Sequence, residues 1–532
     1  MPSWTDSPGR PGLPERALLA LLLAAAMLSC HRAVKPPAQP GGAPAAPGEK
    51  PPSRVPSPRE TAPEEGGEGT FALEDPFTTV AAPRLSTSSD RIVRGLTFHG
   101  LARVDAAGRI EPELAVSWEM LRGGAEWVFH LRPATMFTNG RYLEARHVVA
   151  SWEKLILAPD SANAWLLEAV EGYEEARAGE APHVSGLILE EGLTLRVVLR
   201  WPVLNFPARL AHPALGISAF GEDEEGSGPY QVWGTPKPQL VVLRSNPEYF
   251  RGLPHLDEIT FVRGEAAAKE RLATGALEAA PAGPLEDGKS VPGARIFAHA
   301  VGRTYILGLN RSVTPFSRSE LARKFLDSLD REALCRAVAG DACQVPRTLL
   351  EGTIETKKAQ ADSPPPGAPP GGLGRLDLIY PEGDRAAALL SEKLGGLVTK
   401  SGGRIVPHGV RPTDLAGALG RGEYHLFILP FLPSSPDPLL RLEEMVRWNR
   451  SVPSSLFSSL RQMGQEGDAA RTSAGLATLD ASLRGQGFLV PLAWVPRRLL
   501  VRNGICGLHP DPVGMLDWTR LWRSRRSGGQ CD

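Results

Sequence analysis

Between residues 126 and 132 the side chains alternate, with Trp127, Phe129 and Leu131 on one side and Val128, His130 and Arg132 on the other. A period of two puts one set on the buried face of a sheet, so a half-buried strand with one wetter face is expected. Asn139-Gly140 follows, a dipeptide that tolerates positive φ and lets the chain reverse tightly. Beyond it Ala145, Val148, Val149, Trp152 and Ile156 fall at helical spacing and predict an amphipathic helix. Strand-like runs recur at residues 193–199 and 239–243. Ser317, three residues before Glu320, predicts a capping box opening a helix that runs on through Leu321, Phe325 and Leu329. A Pro-rich break at residues 363–372 interrupts the second half, after which the pattern resets. Strand "LDLIYP", helix 384–400, strand "RIVPHGV", a short helix from Thr413 and strand "YHLFILPF" follow in turn. Three strands separated by two helices predict an α/β unit with mainly parallel pairing.

The first seventy residues break from this pattern. Arg10 and Arg16 precede the run "ALLALLLAAAML" (residues 17–28), which ends at Ser29-Cys30. The run is shorter than the ~20 residues needed to span a bilayer as a helix, so it reads as a signal peptide at residues 1–29 with a lipobox-like end. Lipidation at Cys30 is the expectation, with plain secretion as the alternative; the mature protein is exported either way. Residues 30–70 are dense in Pro, Gly and Ala, cannot bury enough apolar surface to offset chain entropy, and read as a disordered tether. Export also changes how the five cysteines read. With Cys30 consumed by lipid four remain, and an oxidising compartment allows Cys335 to pair with Cys343 and Cys506 with Cys531.

Lys plus Arg (59) almost cancel Asp plus Glu (60), so no global charge argues for a nucleic-acid partner. The eleven histidines are scattered, and there is no CxxC, HExxH, Walker loop, GxSxG or GxGxxG after a strand. Neither a metal site nor a cofactor is expected. Paired acids such as Glu174-Glu175 sit among polar residues and read as solvated surface.

Several segments, taken in order, are more specific. "LTFHGLARVDAAGRIEPELAVSWEM" (residues 96–120) leads to "WVFHLRPATMFTNGRYLEARHVVASW" (127–152). "GSGPYQV" (226–232), "LRSNPEYFRGLPHLDEITF" (243–261), "LGLNRSVTPF" (307–316), "LARKFLDSLDRE" (321–332), "SSPDP" (434–438) and "LVPLAW" (489–494) follow. This series resembles family 5 extracellular solute-binding proteins, the peptide, nickel and oligosaccharide receptors of ABC importers, over roughly residues 71–522. Asn139 stands where the family commonly has Asp.

The resemblance implies an α/β, two-lobed periplasmic-binding-protein-like fold of class II, peptide-receptor type, with mixed sheets and a hinge between lobes. Lobe 1 would span residues 71–301 and return at 489–524, lobe 2 would span 302–488, and 525–532 would be a tail. Residues 126–152 would be scaffold. The implied protein is no enzyme but a monomeric receptor, held to a membrane through its lipid anchor only, in the periplasm or cell envelope. It would capture a small solute, an oligopeptide in the first instance, and deliver it to an ABC permease and ATPase complex. A sensor or assembly factor that keeps the fold without transport is the alternative. In peptide-binding relatives a "gW.aDy.dP" loop lines the cleft, its aromatic packing on the ligand and its aspartate pairing with the ligand's α-amine. Aligning on Pro436-Asp437-Pro438 puts Phe431 at the aromatic and Ser434 at the aspartate. A cleft with Ser434 would disfavour a free amine unless another acid takes over, Asp437 being the nearest candidate.

Overall fold

The computed structural model describes residues 66–219, 225–264, 267–284, 286, 291–299, 301–350 and 366–524, which lie in one compact unit. The signal peptide, Cys30, most of the expected tether, Cys531 and the tail lie outside the described residues.

The chain enters on β1 (Glu68–Leu73) and helix α1 (Ser88–Thr97). Thr87 caps α1, its side chain accepting from Asp90 N while the Asp90 carboxylate accepts from Thr87 N, a capping box of the kind expected elsewhere. Next come β2 (Ala115–Leu121), β3 (Glu126–Leu131), α2 (Ala145–Leu157), β4 (Leu187–Leu189) and β5 (Thr194–Val198), forming an antiparallel sheet in the order β2-β3-β5-β4. Trp127, Phe129 and Leu131 pack with Val148, Trp152 and Ile156 of α2 in a single core, as the two periodicities require. The face expected to be wetter is partly covered. Glu126 and Val128 are buried, and the Glu126 carboxylate is paired with Arg122, at 3.0 Å, and with Arg196.

Short helix α3 (Phe206–Leu210) leads to β6 (Tyr230–Lys237), β7 (Leu240–Ser245), β8 (Glu258–Arg263), β9 (Ala279–Ala282) and β10 (Ala294–Ala298). The chain then crosses to a second sheet through β11 (Arg303–Leu309), followed by α4 (Ser319–Asp327), α5 (Arg331–Ala339), β12 (Arg375–Pro381), α6 (Arg385–Thr399), β13 (Arg404–Val410), α7 (Pro412–Arg421) and β14 (Leu426–Phe431). As the sequence pattern predicts, β12 pairs in parallel with both β13 and β14. Helices α8 (Pro438–Val446), α9 (Ser454–Gly464) and α10 (Ala469–Gly485) precede β15 (Val490–Val495) and β16 (Arg498–Arg502).

A seven-stranded mixed sheet, β10-β16-β9-β1-β8-β7-β6, and the four-stranded sheet belong to lobe 1. A five-stranded sheet, β13-β12-β14-β11-β15, forms lobe 2, with one core on the side of α4, α5 and α6 and another on the side of α8, α9 and α10. The return expected at residue 489 falls later. β15 pairs antiparallel with β11 inside the lobe 2 sheet, so the second crossing comes between Val495 and Arg498. The two crossings touch: a Cβ on Gly302 would lie 2.3 Å from the Trp494 ring, so only glycine admits that approach.

The capping box expected at Ser317–Glu320 is absent. A turn in which Ser317 N donates to Val313 O continues to Arg318, which becomes the N-cap of α4 without a side-chain bond. Glu320 pairs instead with Lys324 one turn on, at 2.8 Å.

Candidate functional site: the seam between the lobes

The loop that leaves β14 carries the three residues expected at the ligand. Phe431 is the last residue of β14, where it pairs with Thr304, packs edge-on to Trp448 at 5.6 Å between centroids and is 4% exposed. It is a core residue supporting the loop from behind. Asp437 is the N-cap of α8, one oxygen accepting from Leu439 N at 2.8 Å and Leu440 N at 3.4 Å, the other bonded by Asn205 Nδ2 of lobe 1. Pro438 at the first helical position suits this start, since its missing N–H would have had no helical partner. Asp437 also borders a cavity of about 880 Å3 between the lobes, lined by Leu204, Pro436, Met463 and Leu476 among others.

Ser434 is half-buried, and its hydroxyl donates to Glu444 Oε2 at 2.7 Å. Glu444 projects from α8, and its other oxygen lies 3.8 Å from Arg91 Nη1 on α1, across the seam. Burial pushes the Glu444 carboxyl above its ordinary range, with Arg91 and the Ser434 hydroxyl acting against that. The acid standing beside Ser434 is therefore Glu444, and Asp437 is committed to a helix end. Arg441, buried and lowered to about 10 by that burial, donates from Nε to Ser435 O at 2.6 Å and ties the loop to α8. Sequence reasoning missed Glu444 and Arg91. Asp437-Pro438 does read as a helix start, which would have placed Glu444 on the following helix, but nothing local announces Arg91.

A charged row crosses the same seam. Arg209 Nη2 lies 2.7 Å from Glu443 Oε2, and both side chains are under a tenth exposed. Arg447 Nη2 lies 2.7 Å from Glu168 Oε1 and 3.2 Å from Glu443 Oε1. Burial opposes ionisation of Glu443, but Arg209 and Arg447 outweigh it and hold the carboxyl below its usual range. On Glu168 burial wins and the carboxyl is raised.

Beside the crossing strands lies a second cavity, of about 540 Å3. Arg303 Nη2 stands 3.0 Å from Asp75 and 3.2 Å from Glu74, with Nη1 3.7 Å from Asp384. The Asp384 carboxylate caps α6 through Ala387 N and accepts from the Tyr305 hydroxyl at 3.1 Å. These contacts tie β1, β11 and α6 together where the lobes join.

Cys335 and Cys343 are disulfide-bonded, their Cα atoms 5.4 Å apart. Among the described residues no group of three or more His, Cys, Asp or Glu could hold a metal ion, and no helix is long and apolar enough to cross a membrane.

Two lobes joined by two crossing segments, with a polar seam between them, define the class of two-lobed binding proteins. Residues 109–397 match the bacterial extracellular solute-binding proteins, family 5 Middle, and the chain belongs to that family. It is 30% identical over 161 residues to the uncharacterized protein YhjP of Bacillus subtilis (strain 168), covering 30% of this chain and 25% of that one. It is 23% identical over 303 residues to the periplasmic oligopeptide-binding protein OppA of Haemophilus influenzae, covering 52% and 54%. The chain thus spans a quarter to about half the length of these curated relatives. The structure of the Escherichia coli murein tripeptide binding protein MppA superposes with a TM-score of 0.75 at 17% identity, over 88% of this chain and 100% of that one, which establishes a shared fold.

Proposed function

We propose that this chain is an exported receptor that captures a small solute, an oligopeptide in the first instance, and hands it to an ABC permease and ATPase. The observation that carries this reading is the facing pair at the seam, Glu444 on lobe 2 and Arg91 on lobe 1, 3.8 Å apart and so not closed into a tight ion pair. A carboxylate and a guanidinium on opposite lobes suit a ligand carrying both an ammonium and a carboxylate. Ser434, by donating to Glu444, holds that carboxylate in place and leaves its second oxygen for the ligand. A charge-assisted hydrogen bond there is about twice as strong as a neutral one. Phe431 and Asp437 would act on the loop, one as its core support and the other as its helix cap. The names of OppA and MppA support a peptide as the first class to test. The chain itself performs no reaction in this reading, acts as a monomer and works from the periplasmic side of a membrane.

The experiment is a thermal-shift screen of di- to pentapeptides, each free and N-acetylated, on the parent and on Glu444→Gln. A ligand at a hundred times its dissociation constant adds about 2.7 kcal/mol, enough to raise the melting temperature by a few degrees. At least one free peptide is expected to do so, its acetylated form to bind at least tenfold more weakly, and Glu444→Gln to erase that difference. Silence across all peptides would remove the substrate class and favour a sensor or assembly role. Retention of the free-amine preference in Glu444→Gln would move the ammonium site elsewhere.

A further inference from the structure

Four residues that reach across the seam from lobe 2 sit on or beside one helix, α8. Asp437 meets Asn205, Glu443 meets Arg209, Glu444 faces Arg91, and Arg447, one residue past the helix end, meets Glu168. We propose that α8 is an ionic clasp that selects the closed arrangement of the lobes by itself, so that solute enters only through molecules in which the clasp has opened.

The charges support this in their order. Glu443 and Arg447 are one helical turn apart and 3.2 Å from each other, a pair lobe 2 keeps whether or not it meets lobe 1. Closing adds a cation, Arg209, outside Glu443 and an anion, Glu168, outside Arg447. The result is an alternating row, Glu168, Arg447, Glu443, Arg209, in which each new neighbour has the opposite sign. Removing charges from water is costly unless each finds a partner, and a row that alternates meets that condition without bringing like charges together. Trp165 of lobe 1 lies against both guanidiniums, its ring 4.9 Å from Arg447 and 5.9 Å from Arg209, within cation–π range. The surroundings close the same way: Leu204 N donates to Gly464 O at 2.9 Å, and Arg461 stacks on Trp201 at 3.7 Å.

If the arginines lose their charge, closing must bury Glu443 without a partner, and the open arrangement gains. The fraction of molecules open to entering solute then rises, and the rate of solute entry with it.

The test needs no solute, so its failure leaves the peptide reading standing. Spin labels on Glu180→Cys and Lys393→Cys, exposed positions on lobes 1 and 2, report the interlobe distance by pulsed electron resonance in a Cys30→Ser background. The parent is expected to show one short-distance population without added peptide. In Arg209→Gln/Arg447→Gln the longer-distance population should grow at least tenfold, and Arg447→Lys, which keeps the charge, should stay with the parent. A distribution unchanged by the double substitution, or a parent already mainly at the longer distance, would overturn the clasp. Should the double variant fail to fold, Glu168→Gln at the half-exposed end of the row gives the same test with a smaller shift, and no shift there overturns it equally.

Discussion

Asp511 shows how far a single carboxyl can be governed by its surroundings. It accepts from Val513 N at 3.0 Å and Met515 N at 2.8 Å in a turn beside the second crossing, yet burial raises it from 3.8 to about 6 against those bonds. The folded state therefore holds its proton more tightly than the unfolded chain between about pH 4 and 6. Stability from this group is fully present below the unfolded value and is lost as pH rises through about 6, on the order of 3 kcal/mol for a shift of about two pH units. Asp511→Asn keeps the acceptor oxygen and removes the titration. Subtracting its urea-unfolding free energy from the parent's at each pH from 4 to 7 should give a difference that falls with pH and then levels off; a flat difference would refute the assignment. At this scale the sequence was least legible. "SSPDP" shows a helix start at Asp437-Pro438, but whether an acid caps a helix or faces a ligand depends on what stands opposite. For Glu444 that is Arg91, hundreds of residues away, and for Asp437 it is Asn205.

Elements were more legible, because periodicity is local. The strand and helix at residues 126–157 and the β12-α6-β13-α7-β14 unit follow from apolar spacing alone, including the parallel pairing. What failed needed knowledge from a distance. "LVPLAW" is plainly a strand, but its place beside β11 rather than in the lobe 1 sheet rests on a partner far up the chain. Ser317 has the spacing of a capping box, yet the preceding turn carries the chain one residue beyond it. The Cys335–Cys343 link is an element-scale device: it closes a short ring from the buried side of α5 to the strand-like segment in which Gln344 bridges Trp494 of β15. Restricting a loop of this length in the unfolded chain contributes about 2–3 kcal/mol in the chain-entropy account. Cys335→Ala/Cys343→Ala should therefore lose about that much in chemical unfolding under oxidising conditions. Equal stability of parent and variant under oxidising conditions would show that the link constrains nothing.

For the whole molecule, two lobes sharing two crossings allow closure about a seam. Among the described residues no helix is long and apolar enough to cross a bilayer. In the N-terminal region a twelve-residue apolar run after Arg10 and Arg16 ends at Cys30. A helix of that length falls short of a bilayer, so we propose that the run serves export and that retention after its removal depends on lipid at Cys30. Each buried methylene contributes about 0.8 kcal/mol, and one acyl chain binds only marginally, so stable retention requires modification with more than one chain. The expectation is that the parent sediments with membranes and resists extraction by high salt, which would strip a protein held by charge alone. Cys30→Ser should release it to the soluble fraction with the same melting temperature. Mass spectrometry of the mature parent should find Cys30 as its first residue, heavier than its composition by the added lipid. A parent found in the soluble fraction, or a Cys30→Ser protein still in the membrane fraction, would replace the anchored receptor with a freely diffusing one in the first case and with attachment through a partner in the second.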